Sequence, residues 1–398
     1  MSYGPPYWSA ADFEQVNGFP RYPTREINRR HGWVADMLAA HELDAVVVGG
    51  ATGALETAVQ YFSNWPSQVQ SYVVFLPGEA PIMLVRLWNH LPDAQRIAMI
   101  DDLRYGGDTP GEQAEQLAGT LARHGCQRIG LIGVVPHADV DTLRRTVTDV
   151  DLVDMNPAYQ SFRLVKTEDE MTFVRIASRM NDAAIAALAA ELKPGVNELD
   201  VARIVEDVYL AHRAWNLIHF SLTTPMSDPS IVVPHQYHPD RVIEAGDVFV
   251  TEISTTFWGY SGQILRTYTI GGGPNERYAR LHRVALDAYH AIITALHPGA
   301  TVGDVLDAAE LIAAEGFDIW DDLVHGFGGA YLPPIVRTRQ SRGATHDDSF
   351  TYPDGTLLVV QPNVIDGQAG VQVGNSMWVT SEGTEVTQSF PTELIVCE

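Results

Sequence analysis

The chain has 398 residues, of which 45% are hydrophobic and 19% charged, a composition typical of a globular protein long enough for two domains. Its formal net charge of −24 disfavours binding to DNA, RNA or an anionic membrane, because the field of the protein repels polyanions. The two cysteines, Cys126 and Cys397, predict neither a disulfide framework nor a zinc knuckle. Apolar runs are too short for a membrane span, and the N-terminus lacks a signal-peptide pattern, so we expect a cytoplasmic protein.

In the first third of the chain, short apolar runs alternate with segments whose apolar residues recur at helical spacing. This alternation favours an α/β domain with a mainly parallel sheet. The predicted strands are Ala45–Val48, Tyr72–Leu76, Ile82–Val85 and Ile129–Ile132, and the predicted helices are Thr24–His41 and Gly111–His124.

A capping residue and three acids, Thr167–Glu170, predict the start of a long helix over Met171–Leu192. The helix is expected to end at Lys193-Pro194-Gly195. We therefore place a domain boundary near residue 160 and predict domains at 1–160 and 161–398. In the second domain the pattern predicts strands at Val248–Ile253, Ile264–Ile270, Leu357–Val360 and Met377–Thr380, and helices at 276–296 and 302–315.

Four blocks of this sequence resemble the creatinase, aminopeptidase P and prolidase family. Arg163–Leu188 is similar to the family's linker and first helix. Three more blocks follow in the family's order: the His-to-Gly-Asp block with two strands ending in Arg-Thr, the His-Gly-x-Gly turn, and the closing hairpin. They are Val232–Gly271, Val324–Pro334 and Leu357–Pro391. The resemblance implies a small N-terminal creatinase-like α/β domain and a C-terminal pita-bread domain, a curved antiparallel sheet backed by helices.

Metallopeptidases of this family hold two divalent ions with two Asp, one His and two Glu. The resemblance places those ligand positions at Glu252, Gln263, His325, Gln361 and Gly374. The family's ligand set has four anionic carboxylates, whereas these five positions have one, at Glu252. An amide is a weak donor to a divalent ion, and glycine has no side chain. We therefore expect neither a metal nor another cofactor. The alternative interpretations are a surface carboxylate at position 252 and buried amides that satisfy backbone groups at positions 263 and 361.

Two histidines remain for chemistry. His235 lies eleven residues before Gly246-Asp247, and with His325 it resembles the pattern of creatinase, the family's metal-free enzyme, whose first His is general base and acid. A side chain with a pKa near 6.5 can both take and give a proton. We predict catalytic roles for His235, His325 and Glu252; the alternative for His235 is a core or surface histidine in a polar loop. Creatine is not the expected substrate, because Leu265 and Gln361 stand where creatinase has carboxylates.

Several further residues are predicted to bind a substrate. The loop after His325 carries three arginines, and guanidinium groups recognise carboxylates bidentately. The segment Tyr61–Gln70 resembles one that reaches the partner's active site in family dimers, which predicts a homodimer. The predicted substrate-binding residues are Gln263, Gln361, Arg337, Arg339, Arg342, Trp65 and Tyr260.

Three functions remain open. The favoured one is a metal-independent hydrolase or lyase that acts on a C–N or similar bond of a small amino-acid-like molecule. The alternatives are a metal-dependent Xaa-Pro peptidase or dipeptidase with an altered site, and a non-catalytic member that binds a ligand or protein. An open pocket at the predicted catalytic residues would favour the enzyme, whereas a pocket plugged by Phe257, Trp258 or Tyr331 would favour the binding protein. Fold does not choose the bond that is broken.

Overall fold

The computed structural model describes residues 7–9, 11–51, 57–329, 331–341 and 347–398. The chain divides into two compact units, Trp8–Phe162 and Arg163–Glu398, and Tyr7 belongs to the second. No helix in the described ranges is long and apolar enough to cross a membrane.

The first unit is an α/β domain. The helix over Pro110–Arg123 begins with a reciprocal cap, in which the Glu112 N–H donates to Thr109 Oγ1 and the Thr109 N–H donates to Glu112 Oε2. Its elements are β1 (Glu14–Val16), β2 (Phe19–Arg21), α1 (Thr24–Ala40), β3 (Ala45–Gly50), α2 (Ala58–Ser63), β4 (Ser71–Phe75), β5 (Ile82–Val85), α3 (Leu91–Ile97), β6 (Asp102–Tyr105), α4 (Pro110–Arg123), β7 (Arg128–Gly133), α5 (His137–Thr146), β8 (Asp151–Asp154) and α6 (Asn156–Leu164), which runs into the second unit.

Six strands of this unit form a sheet in the order β6-β5-β4-β3-β7-β8. The pairs β3–β7, β7–β8 and β5–β6 are parallel, as the strand–helix alternation predicts. The strand β4 is antiparallel to both of its neighbours, β3 and β5. The connection from β4 to β5 is too short for a crossover helix, so those two strands can pair only as a hairpin. The sheet is therefore mixed rather than mainly parallel.

The second unit begins with the helix predicted from its cap. The Glu170 N–H donates to Thr167 Oγ1 and the Thr167 N–H donates to Glu170 Oε2. Its elements are α7 (Glu168–Glu191), α8 (Glu198–Tyr209), β9 (Ala214–Pro225), β10 (Asp247–Phe257), β11 (Tyr260–Ile270), α9 (Glu276–Ala295), α10 (Val302–Ala314), β12 (Asp318–Ile319), β13 (Val324–Gly326), β14 (Leu332–Val336), β15 (Thr356–Val360), β16 (Asn363–Asp366), β17 (Ala369–Gln372), β18 (Gly374–Thr380), β19 (Gly383–Val386) and β20 (Ile395–Cys397).

A curved sheet in the order β14-β13-β15-β18-β11-β10-β9 forms the body of this unit, with β19 added beside β18 and β20 beside β11. The β10–β11 hairpin turns through Trp258 and Gly259, both at positive φ (49° and 82°), which suits the twist of antiparallel strands. The helix α7 packs on β10 and β11, whereas α9 and α10 contribute to a large apolar core with strands of the same sheet. This is the pita-bread architecture, and the predicted fold class is confirmed.

One long strand was not predicted. The strand β9 spans Ala214–Pro225 and lies at the edge of the sheet, antiparallel to β10. Its sequence, AWNLIHFSLTTP, mixes apolar and polar residues without strict alternation, and an irregularity in the pairing falls between Ser254 and Thr255 of β10. This strand determines where the predicted histidines lie, as described below.

Candidate functional site

The five positions of the family's metal ligands share one face of the sheet. Directly opposed residues of antiparallel strands project to the same face, as do alternate residues of one strand. Glu252 opposes Leu265 and Leu265 opposes Gly374, so these three share a face. The same register continues to the neighbouring strands, where Ser376 opposes Val359 and Val359 opposes His325. Gln263 and Gln361 each lie two residues from a member of this set.

Glu252 and Gln263 form a buried pair within this face. The Nε2 amide of Gln263 donates to Glu252 Oε1, and both side chains are at most 7% exposed. Burial, with smaller contributions from the nearby Asp321 and Asp322, raises the pKa of Glu252 to about 8 against the opposing effect of the Gln263 amide. The carboxyl group of Glu252 is therefore largely protonated at neutral pH.

A second amide–carboxylate pair joins Gln361 to Asp322, which sequence reasoning missed. Gln361 Nε2 donates to Asp322 Oδ1 over 3.0 Å, and the Tyr331 hydroxyl donates to Asp322 Oδ2. Asp322 is 1% exposed, and burial raises its pKa against the opposing effect of His325. The local signal was an acidic pair, Asp321-Asp322, immediately before the short strand that carries the predicted histidine.

His325 is oriented by its own backbone neighbour. Its Nδ1 lies 3.0 Å from the Gly326 carbonyl oxygen, which can only accept, so Nδ1 carries the proton and a neutral ring has its lone pair on Nε2. The imidazole is 1% exposed. The ring of Tyr331 lies 4.5 Å from it, centroid to centroid, and Phe327 contacts it edge-on at 5.5 Å. Tyr331, itself 38% exposed, therefore covers both His325 and Asp322. We call Glu252, Gln263, Asp322, His325 and Gln361 the carboxylate cluster.

The fifth ligand position has no room for a side chain. A Cβ placed on Gly374 would lie 2.7 Å from the Val360 carbonyl oxygen and 2.8 Å from Leu265 Cδ1. The amide nitrogens of Gln263 and Gln361 donate hydrogen bonds to the carboxyl groups of Glu252 and Asp322. Among the described residues, no three His, Cys, Asp or Glu side chains form a group that could hold a metal ion. The donor set here does not fit a pair of divalent ions.

His235 does not join the carboxylate cluster. It pairs with Ser221 of β9 through two backbone hydrogen bonds, so its side chain projects to the face that bears Ser221. Ser221 opposes Thr251, the neighbour of Glu252, and the two faces are therefore opposite. The family resemblance implied that the two predicted catalytic residues lie together, whereas the register places them on opposite faces. A catalytic role for His235 stays a prediction.

The face that carries His235 has its own polar cluster, which we call the histidine cluster: Glu198, His219, His235 and His238. His238 Nδ1 lies 3.0 Å from Ser221 Oγ, and its ring meets His219 at 4.5 Å. His219 is 4% exposed, and neither ring nitrogen has a partner among the described residues. Burial, with a smaller contribution from His238, lowers the pKa of His219 to about 3. Burial also raises the pKa of Glu198, whose Oε1 accepts from Thr223.

The predicted arginines lie in different surroundings. Arg337 is half-buried and close enough to Asp322 and Tyr331 to oppose the rise that burial causes in the pKa of each. Arg339 instead forms an ion pair with Asp307 of α10 at 2.7 Å, with Glu310 beside it at 3.5 Å. Arg342 lies outside the described residues. Substrate binding by these residues stays a prediction, and the geometry supports it best for Arg337.

Tyr260 and Trp65 are both engaged within their own units. The Tyr260 hydroxyl donates to Glu170 Oε1 over 2.7 Å, and its ring stacks on Phe173. Trp65 belongs to the first unit, is 7% exposed, and its backbone N–H donates to Ser63 Oγ. Their predicted contacts with a substrate remain untested.

Comparison with known proteins places this chain in a family. The profile of metallopeptidase family M24 matches residues 172–381. An uncharacterized peptidase of Bacillus subtilis, YqhT, is 24% identical over 292 residues, which cover 72% of this chain and 80% of the relative. A Xaa-Pro dipeptidase of Pyrococcus horikoshii is 23% identical over 278 residues, covering 69% and 76%.

Solved structures agree with the fold. The Xaa-Pro dipeptidase of Bacillus anthracis superposes with a TM-score of 0.78 at 19% identity and covers 93% of this chain and 99% of its own. Aminopeptidase P of E. coli gives a TM-score of 0.72 at 16% identity, with 94% and 97% covered. The chain therefore belongs to metallopeptidase family M24, a family of hydrolases, and the resemblance to creatinase, aminopeptidase P and prolidase is confirmed.

Proposed function

We propose that this chain is a hydrolase that cleaves a C–N bond of a small amino-acid-like substrate at the carboxylate cluster, without the metal pair of its family. The observation that carries the proposal is the pairing of Gln263 with Glu252 and of Gln361 with Asp322. Two positions that hold metal ligands in the family are amides here, and each amide orients a buried carboxyl group.

The two kinds of group in this cluster suit general acid–base catalysis. A neutral His325 has a free Nε2 lone pair and can take a proton from water as the water oxygen attacks the carbonyl or amidine carbon. Glu252, protonated near neutral pH, can give its proton to the leaving nitrogen as the C–N bond breaks. Return of the proton from the imidazolium to the Glu252 carboxylate, through solvent, restores the starting state.

The unmatched atoms of the cluster indicate the chemical class of the substrate. Gln263 Oε1 and Gln361 Oε1 are buried acceptors without partners among the described residues. Their orientation is set, because each amide nitrogen donates to a carboxyl group. Buried acceptors need donors, and a substrate with an ammonium group supplies several N–H donors and a positive charge beside Asp322. Arg337, close enough to Asp322 to influence its pKa, suits a substrate carboxylate.

Two observations favour other functions. Tyr331 covers His325 and Asp322, which is the arrangement expected of a non-catalytic binding protein; in the proposed enzyme, Tyr331 swings away on substrate entry. The description of the family as metallopeptidases, together with relatives named Xaa-Pro dipeptidase, favours a metal-dependent peptidase.

A single set of measurements separates the three functions. The purified chain is assayed against dipeptides, including Xaa-Pro dipeptides, and small amides and amidines, with a chelator and with added Mn²⁺, Co²⁺ or Zn²⁺, and its metal content is determined. We expect turnover that the chelator leaves unchanged and a metal content far below one ion per chain. Stoichiometric metal with chelator-sensitive turnover would establish the peptidase. No turnover, together with ligand binding in thermal-shift assays, would establish the binding protein.

The variant Gln263→Asp/Gln361→Glu restores two acidic ligand positions and serves as the matched test. If the chain works without metal, this variant loses activity, because each carboxyl group loses its amide partner and gains a like charge. Activity that rises on addition of Mn²⁺ to the variant, and exceeds that of the unaltered chain, would contradict the proposal.

A further inference from the structure

A cleft in the first unit belongs to none of the groups described above. It has a volume of about 650 Å³, within the range of small-molecule sites. The β1–β2 hairpin, the first half of α1 and the segment after α3 line it, and its apolar wall includes Ile27, Met99 and Ile100.

Two arginines without acidic partners line this cleft. Arg21 comes from the hairpin and Arg96 from the end of α3. No carboxylate among the described residues lies within ion-pair distance of either guanidinium group, although the chain has 50 acidic and only 26 basic residues. By contrast, Arg104 of the same unit is paired with Asp102 at 2.5 Å. Leaving Arg21 and Arg96 unpaired in so acidic a chain keeps two cations available.

Arg21 carries a direct sign of an unfilled contact. Its Nε is buried and has no hydrogen-bond partner among the described residues. A buried N–H without an acceptor is costly, so an acceptor supplied by a ligand would stabilise this side chain. The Asn17 side-chain amide donates to the Arg96 carbonyl oxygen over 3.0 Å, which holds the hairpin to the segment that bears the second arginine.

The remaining polar lining sets the charge of the ligand. His31 Nε2 donates to the Phe62 carbonyl oxygen at 2.8 Å, and burial lowers the pKa of His31, so the ring is neutral at pH 7. Asp101 is the acidic residue of the described lining, and it is exposed. Two guanidinium groups against one carboxylate leave the cleft positive, and its apolar wall favours an organic ligand over a bare inorganic anion.

We propose that this cleft binds a small organic acid with two carboxylates joined by a short apolar chain. The two guanidinium groups receive the carboxylates, and the methylene groups lie against Ile27 and Met99. The site is independent of the carboxylate cluster, so failure of the proposed hydrolase leaves it standing, and the reverse holds as well.

Calorimetric titration of the full chain tests the proposal, with glutarate, butyrate and inorganic phosphate as separate probes at low ionic strength. We expect glutarate to bind at least about tenfold more tightly than butyrate or phosphate, since only glutarate presents two carboxylates and an apolar chain. Arg21→Gln/Arg96→Gln should weaken glutarate binding by at least about tenfold, and Asp101→Asn should strengthen it. Arg144→Gln removes an exposed charge of the same unit outside the cleft lining and should leave binding unchanged.

Arg96→Gln alone is the second variant if loss of Arg21 impairs folding, since Arg96 is exposed. Absence of glutarate binding, or equal affinity in the cleft variants and Arg144→Gln, overturns the proposal. Phosphate binding as tight as glutarate binding would show a site for inorganic anions only, and would equally overturn it.

Discussion

The two faces of the β9–β10 ladder carry polar clusters in which a buried titratable group is kept uncharged in opposite ways. On one face the carboxyl group of Glu252 is kept neutral by gaining a proton, because its pKa rises to about 8. On the other face the imidazole of His219 is kept neutral by losing one, because its pKa falls to about 3. Both shifts follow from burial, yet their pH dependence has opposite sign.

The clusters differ more in how their groups are oriented. Glu252 and His325 each have a hydrogen bond that fixes one polar atom and leaves another for chemistry, and both oxygens of Asp322 accept hydrogen bonds. His219 has no such bond on either nitrogen among the described residues. Precise orientation of reacting groups is what an active site requires, and so the carboxylate cluster is the better candidate, although the sequence drew attention first to His235.

The largest expected effect separates the two histidines. We expect His325→Ala to lower kcat by about 10²–10⁴-fold, the usual contribution of a general base, on whichever substrate the panel identifies. His235→Ala should cost no more than about tenfold, because its side chain lies on the opposite face. His297→Ala, at an exposed histidine, is the control. A greater loss in His235→Ala than in His325→Ala would reverse the assignment of the two faces.

The placement of His235 shows where prediction from sequence stopped. The helix α7 follows from its local cap, because a cap depends on neighbouring residues. Which face His235 occupies depends on its pairing with Ser221 in β9, a strand that the sequence pattern did not reveal. A shift of one residue in such a pairing moves every side chain to the other face, so spacing from Gly246-Asp247 could not decide it.

The same limit explains the missed member of the site. Glu252 and His325 were predicted through motifs that lie near them in sequence. Asp322 becomes important only because Gln361, 39 residues away, donates to it. The loss of the ligand at Gly374 was visible in the sequence, but the reason that nothing replaces it is the long-range contact with Leu265.

The raised pKa of Glu252 should make the free energy of unfolding fall as pH rises. A carboxyl group whose pKa is about 8 when folded and 4.5 when unfolded favours the folded state below pH 4.5, and that contribution is lost between pH 4.5 and 8. We expect Glu252→Gln to remove this loss, so that the unfolding free energy of the variant, relative to that of the original chain, rises by about 4 kcal/mol from pH 5 to pH 9. Urea unfolding of both chains from pH 5 to 9 measures it. Glu382→Gln, an exposed carboxylate, should change nothing.

The lowered pKa of His219 should make the free energy of unfolding fall as pH falls. His219 has a pKa of about 3 when folded and 6.5 when unfolded, so protonation of the unfolded chain destabilises the protein as pH falls from 6.5 towards 3. His219→Phe keeps the ring volume and removes the titration. We expect this variant to gain on the order of 2 kcal/mol over the original chain between pH 7 and pH 5, measured by urea unfolding. An unchanged pH profile would mean that His219 is solvated in solution.

The smallest effect tests the packing that replaced a ligand. Gly374→Ala places a methyl group 2.8 Å from Leu265 Cδ1 and 2.7 Å from the Val360 carbonyl oxygen. We expect a loss of about 1–3 kcal/mol in unfolding free energy from this overpacking. Leu265→Val in the same chain should recover part of the loss, because it removes the apolar contact, whereas the carbonyl contact persists. An unchanged unfolding free energy in Gly374→Ala would contradict this expectation. It would mean that the backbone at Val360 and the Leu265 side chain move enough for the fifth ligand position to hold a side chain.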